Sequence, residues 1–189
     1  MPIPTAFNQA TDWNSLHLAI HDFGDATSVS EEDLIAALRA IEGWRERFTD
    51  SFTVEYQGEN IAWRRYENLV WTLGESFRRI MLHNKGLRKS ERVFDSVRAV
   101  CSDDRFGKGR ESFTMLLGQY GGSAQITALM GLLDDPEICG HAVYALRLLG
   151  AVEAAENVRP FLNSPKAWIK QEALMYFEKI QAQSEKPLA

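Results

Sequence analysis

The chain has 189 residues, 45% of them apolar and 25% charged, and a formal net charge of −5. That length suits one domain with a substantial buried core, and ten Phe, five Trp and five Tyr are enough to fill it. Two cysteines, Cys101 and Cys139, stand 38 apart with no CxxC, which points to neither a disulfide framework nor a structural zinc site.

Both thiols are expected reduced, small and buried, as in a cytosolic protein. The opening has no basic region followed by an apolar run, and no stretch approaches the ~18 apolar residues of a membrane span. A soluble, cytoplasmic chain with no membrane partner is expected.

In chain order the pattern is helical almost throughout. Trp13, Leu16, Ile20 and Phe23 fall at helical spacing, with Thr11 or Asp12 as N-cap and Gly24-Asp25 as the stop. Ser30 and Asp33 form a capping box with Asp in place of Glu or Gln, and Val29 and Leu34 are placed as a hydrophobic staple. That helix runs through Leu38, Ile41 and Trp44 to about Phe48, with Gly43 its weak point. Over 49–60, Phe52, Val54 and Tyr56 alternate with polar residues. With no evident second strand to pair with, the segment reads as a packed loop.

A long helix is expected from about Ile61 to His83, with Tyr66, Leu69, Val70, Leu73, Phe77, Ile80 and Met81 as one stripe. Ser90 caps a shorter helix carrying Val93, Phe94, Val97, Val100 and Cys101. Phe113, Leu116, Leu117 and Tyr120 mark another, stopped by Gly121-Gly122.

The stretch 125–150 then holds two amphipathic runs separated by Asp134-Asp135-Pro136. Asp135 is placed to accept a bond from the next turn, and Pro136 fits a first helical position. Gly150 ends the second run at a left-handed cap. The order of features recurs over 157–180: Val158 follows Ile126 by 32 residues, and Pro165 follows Pro136 by 29. Two helices, a Pro-marked turn and a period near 30 describe a stacked helical repeat. Past Ile180 the apolar pattern fades and a frayed tail is expected.

These residues resemble a known family. Asp135-Pro136, the small pair Ala142 and Ala145, and Leu149-Gly150 are similar to a HEAT-type repeat of the short bacterial, phycobilisome-lyase-like kind. Ser164-Pro165, Trp168-Ile169-Lys170 and Glu172-Ala173-Leu174 resemble the same consensus, and Asp103-Asp104, Phe113, Leu116-Leu117 and Gly118 a third, weaker copy. The resemblance covers 103–182 and implies an all-α fold, a HEAT-like α-solenoid of antiparallel helix pairs behind an N-terminal helical cap. With the length, this gives the expectation of a single domain over 1–189: an N-terminal helical part at 1–102, the repeats at 103–182 and a tail at 183–189.

Charge is banded. Residues 1–60 carry three Lys/Arg against eleven Asp/Glu, 61–110 twelve against six, and 111–189 six against nine. Either Arg64, Arg65, Arg78, Arg79, Arg88, Lys89 and Arg92 pair with acidic groups of neighbouring helices, or they line a groove for an anion such as nucleic acid.

The chemistry is sparse. His17 and His21 have metal-sharing spacing but lack the Glu of H-E-x-x-H and an obvious third ligand beyond Asp25 or His83. Cys139 and His141, two apart on a helix, face different ways. Gly107-Lys108-Gly109-Arg110 lacks a preceding strand and a GKS/T motif, and reads as a turn. Iron-binding HEAT-type hydroxylases carry His-Glu dipeptides, absent from this chain. HEAT-like alkylbase DNA glycosylases use an aromatic groove, and Trp63, Arg64, Arg65, Tyr66 and Trp71 offer some of its ingredients.

The expectation is a non-enzymatic protein-binding module with no catalytic residues, metal or cofactor. Its partner is another protein, and the acidic balance is similar to that of immunity proteins that neutralise basic toxins. Candidate binding residues are Trp63, Arg64, Arg65, Glu153 and Glu156. The alternative is a nucleic-acid-binding or base-processing protein using 61–110.

Overall fold

The computed structural model describes residues 3–56 and 58–184. The chain is all-α, a helical-repeat fold, with one two-stranded hairpin among the described residues. It divides into two compact units, Met1–Phe113 and Thr114–Ala189. Among the described residues no helix is long and apolar enough to cross a membrane.

In the first unit, α1 (Ile3–Gln9) has no counterpart in the sequence reading. Its Phe7 is 1% exposed, and its ring meets Phe23 and Trp44 edge-on at 5.8 and 5.9 Å. Phe7 anchors this helix, and Ala10 just past its end is also buried. The second helix, α2 (Trp13–Gly24), starts where its cap predicts: the Asp12 carboxylate accepts from Ser15 N–H at 2.8 Å, and Ser15 Oγ accepts from Asp12 N–H. Leu16, Ile20 and Phe23 are buried.

The Ser30–Asp33 box also forms, opening α3 (Glu31–Ala40), and both staple residues are buried. At Ile41–Gly43 the helix tightens to 3₁₀ and then resumes as α4 (Trp44–Arg47). The weak point expected at Gly43 is where the regular geometry changes.

The segment expected as a loop is instead a strand. β1 (Ser51–Tyr56) pairs antiparallel with β2 (Glu59–Arg64), in the register Phe52↔Trp63, Thr53↔Ala62 and Val54↔Ile61. The missing partner strand was hidden in the first residues assigned to the long helix. Gly58 at φ 81 lies between the strands and supplies the positive φ that tight hairpin turns need.

The helix therefore begins at Arg65, not Ile61. α5 (Arg65–His83) spans about 28 Å at ~1.5 Å per residue. Its N-terminus is closed by Glu67, whose carboxylate accepts from Arg64 N–H at 3.0 Å. All seven residues of its predicted stripe are buried. Each such side chain stabilises the fold by about 1.5–3 kcal/mol on the transfer scale. α6 (Glu91–Ser102) follows, capped by Ser90 Oγ on Val93 N–H at 3.2 Å, with all five of its predicted apolar residues buried.

The Gly107–Arg110 stretch is a 3₁₀ turn, Asp104–Gly109, leading into α7 (Arg110–Tyr120). Arg110 is 2% exposed, and its guanidinium donates to the carbonyls of Gly107 at 2.9 Å and Cys101 at 3.2 Å. Cys101 is buried as expected; Cys139 is only half-buried, and both are free thiols.

The second unit shows the repeat directly. α8 (Ile126–Gly131) is joined to α9 (Cys139–Leu149) through Asp135-Pro136. The second pair joins the short α10 (Ala155–Val158), flanked by 3₁₀ turns, to α11 (Ala167–Ser184) through Ser164-Pro165. The two Pro turns are locked alike: Asp135 Oδ1 accepts from Glu137 N–H at 2.9 Å, and Ser164 Oγ from Lys166 N–H at 3.3 Å. Asp135 accepts a bond from the next turn as expected, but it is not the cap of α9 and Pro136 is not its first residue: regular α-helix begins only at Cys139, with Ile138 at the N-cap position.

Gly150 is left-handed (φ 64, ψ 40) and closes α9 with its own N–H on Arg147 O and Ala151 N–H on Leu146 O, a Schellman pair. α9 and α11 run side by side in the same direction: Gly140 lies against Trp168, Arg147 Nε bonds Glu172 at 2.7 Å, and Gly150 lies against Gln183. Parallel stacking of equivalent helices is what a helical repeat requires. α11 continues to Ser184, past the expected end of the pattern at Ile180; residues 185–189 of the expected tail lie outside the described residues.

Candidate functional site

Of the five predicted binding residues, the hairpin gathers three. Trp63 and Arg64 end β2, and Arg65 starts α5. Trp63 is half-buried, Arg64 exposed and Arg65 half-buried, while Tyr66 points into the core at 3% exposure.

Around them a row of rings crosses four elements of the first unit. From α5, the Trp71 ring meets Trp63 at 6.4 Å, tilted 72°. Trp63 sits opposite Phe52 across the hairpin, where facing side chains are neighbours. Phe52 meets Trp13 of α2 at 6.1 Å. Trp13 then stacks on His17 at 4.9 Å and 24°, and His17 meets His21 at 4.7 Å. Every ring in the row is half-buried.

Cations hold this row in place. The Arg65 guanidinium lies 5.1 Å from the Trp13 ring centroid, and Trp13 Nε1 donates to Arg65 O at 3.2 Å. Arg64 donates to the Tyr66 hydroxyl at 3.1 Å. At the far end Arg79 Nη2 lies 3.4 Å from His21 Nδ1 and donates to His21 O at 3.3 Å.

Burial, and then the neighbouring His21, hold the His17 imidazole below its ordinary value. The His17–His21 pair is therefore a ring contact with an arginine at its side. Among the described residues no group of three His, Cys, Asp or Glu could hold a metal ion. Beyond Arg79 opens a cleft of ≈ 400 Å³, bordered by Gly24, Asp25, Thr27, His83 and Asn84, where Arg79 Nε pairs with Asp25 at 3.3 Å.

The basic band is substantially paired. Arg79, Arg92 and Arg105 reach Asp25, Glu31 and Glu42, all within the acidic first sixty residues. Arg78 pairs with Glu75 on its own helix, and Arg88 donates to the carbonyls of Met81 and Leu82. Lys108 donates to Ala62 O at 3.0 Å.

The remaining two candidates belong to the second unit. Glu153, in the 3₁₀ turn Val152–Ala154, and Glu156, on α10, are exposed. Arg159 bonds Glu156 at 2.8 Å and holds its carboxyl below the usual range. In the same unit, His141 lies 5.1 Å from the Trp168 ring and burial lowers it to about 4, while burial raises the Cys139 thiol.

Sequence reasoning missed Trp13 and Phe52 as members of the row. Gly58 between two alternating runs is the signal that would have paired β1 with β2 and placed Phe52 beside Trp63.

No family model matches the chain, and no curated protein matches it, so the HEAT-type likeness stays a resemblance. Among solved structures, one engineered protein aligns at a TM-score of 0.46 and 17% identity, over 95% of this chain and 47% of that one. A second engineered protein aligns at 0.40 and 14%, covering 95% of each chain. A designed armadillo repeat protein aligns at 0.36 and 14%, covering 94% of this chain and 99% of that one. This chain spans about half the length of the first. At such likeness nothing is carried over from them; the helical-repeat class rests on the stacking of α9 on α11.

Proposed function

We propose that this chain is a non-enzymatic protein-binding module whose contact surface on the first unit is the Trp71–Trp63–Phe52–Trp13 row. The observation that carries this is the row itself: half-buried Trp and Phe rings, with arginine held over one of them. Protein interfaces concentrate their binding energy in Trp, Tyr and Arg of this kind. The exposed carboxylates Asp22, Asp25, Glu32, Glu42, Glu46 and Asp50 favour a partner with a basic surface. An inhibitor of immunity type, neutralising a basic toxin, is the finer form of this reading, with Glu153 and Glu156 as acidic contacts on the second unit.

A nucleic acid is the second reading, since bases also stack on such rings. The ion pairs of Arg79, Arg92 and Arg105 weigh against it. Site-specific photo-crosslinking in cells tests the proposal. A photoreactive residue at Trp63 should give a discrete protein adduct, and one at the exposed Gly131 should not. Adducts to nucleic acid alone, or no adduct at Trp63, would contradict it.

A further inference from the structure

The hairpin has two outer edges, and they are treated differently. Arg65 N–H donates to Asp50 O at 2.8 Å, which fixes the alternation of the ladder. The pairs Phe52/Trp63 and Val54/Ile61 then exchange the inner bonds, and 51/64, 53/62 and 55/60 turn their N–H and C=O groups outward. On β2 these outward groups are used: Arg64 N–H meets Glu67, and Ala62 O meets Lys108. On β1, Ser51, Thr53 and Glu55 are exposed, and among the described residues nothing bonds their outward backbone groups. β1 also carries no Pro or Lys, and Glu55 is its one charged residue.

We propose that the β1 edge receives an extended segment of the partner protein as a third strand, its residues alternately apolar and cationic. This rests on the protein-binding reading and gives it a mode. The apolar positions follow from the face of Phe52, Val54, Ile61 and Trp63, where Val54 is 41% exposed and Phe52 half-buried. A strand laid beside β1 extends that face and continues the ring row.

The cationic positions follow from the opposite face. There Glu55 is exposed and has no ion pair among the described residues, and Arg64, at the far end of the same face, is turned to the Tyr66 hydroxyl. A second copy of the chain fits less well. Antiparallel self-pairing centred on Thr53 sets Glu55 opposite Ser51, with no cation to meet it, and joins two chains of net charge −5.

The probe is a fluorescent seven-residue peptide of alternating Lys and Val, read by polarisation and by amide resonances of the ¹⁵N-labelled protein. Saturable binding is expected, with the Ser51, Thr53 and Glu55 amides protected from exchange. N-methylating the Lys residues in one copy and the Val residues in another removes the N–H groups of one peptide edge at a time. One copy should bind as before, and the other at least tenfold more weakly.

Thr53→Pro should weaken the parent peptide similarly. The Thr53 N–H points outward, so proline there removes no β1–β2 bond. If that variant misfolds, the N-methylated pair on the unaltered protein decides alone. Equal binding of both methylated copies would reveal charge adhesion and overturn the proposal. No binding up to about 1 mM peptide, or a dimer in sedimentation that Thr53→Pro dissolves, would overturn it too. A partner crosslinked at Trp63 with none of these effects would sink the strand mode and leave the protein-binding reading intact.

Discussion

His141 ties the stability of the second unit to pH in a way that can be separated from everything else. It sits at the start of α9 against Trp168, and burial lowers it to about 4 from an ordinary 6.5. In the unfolded chain the same imidazole takes up a proton near 6.5. A group whose folded value is depressed binds fewer protons when folded, so stability rises with pH across the window between the two values.

The contribution is complete above 6.5 and is lost as pH falls toward 4. At about 1.4 kcal/mol for each pH unit, the loss is about 3 kcal/mol. Carboxylates with depressed values, such as Asp103 beside Arg105, lose stability over a lower range and in the same direction. The informative quantity is therefore a double difference. Urea unfolding at pH 7 and pH 4, for the unaltered protein and for His141→Gln, should show the variant losing about 3 kcal/mol less on acidification. Equal losses in both would mean that His141 protonates freely in the folded state, and the burial argument would fail.

Two further perturbations probe the repeat. Asp135→Ala removes the acceptor of Glu137 N–H and should cost about 1 kcal/mol, the usual net worth of one such hydrogen bond; an unchanged melting temperature would show that the turn needs no such bond. Gly118→Ala would place a methyl 2.5 Å from Ala145 Cα, against backbone that cannot step aside. A loss of about 1–3 kcal/mol is expected from such overpacking, and a neutral result would mean that α7 and α9 are not in close contact.

Helices whose apolar period is long and capped were legible in the sequence. The α5 stripe, the Ser30 and Ser90 caps and the Gly150 stop each follow from a local rule, and each holds. Where one residue or one distant partner decides, the sequence pattern carries less. α1 is short, and what holds its Phe7 are the rings of Phe23 and Trp44, far along the chain. The four residues Ile61–Arg64 continue the helical stripe on paper, yet their pairing with β1 outweighs it, because backbone bonds and cross-strand contacts are gained together.

Arg110 counted as one more basic residue in a charged band; carbonyls of the preceding turn and of α6 accept from its buried guanidinium. At the candidate site, Trp63, Arg64 and Arg65 were readable as composition. Trp13 joins them only through a contact 52 residues away in sequence, which no local spacing reveals.

The claim that this surface takes a protein, with its cations largely paired internally, is tested most directly by nucleic acid itself. Short duplex and single-stranded DNA, mixed with the purified protein at about 50 mM salt where electrostatic binding is favoured, should show no retardation. Retardation at low micromolar protein that weakens steeply with salt, and disappears when Arg64, Arg65, Arg78 and Arg79 are replaced together, would contradict it.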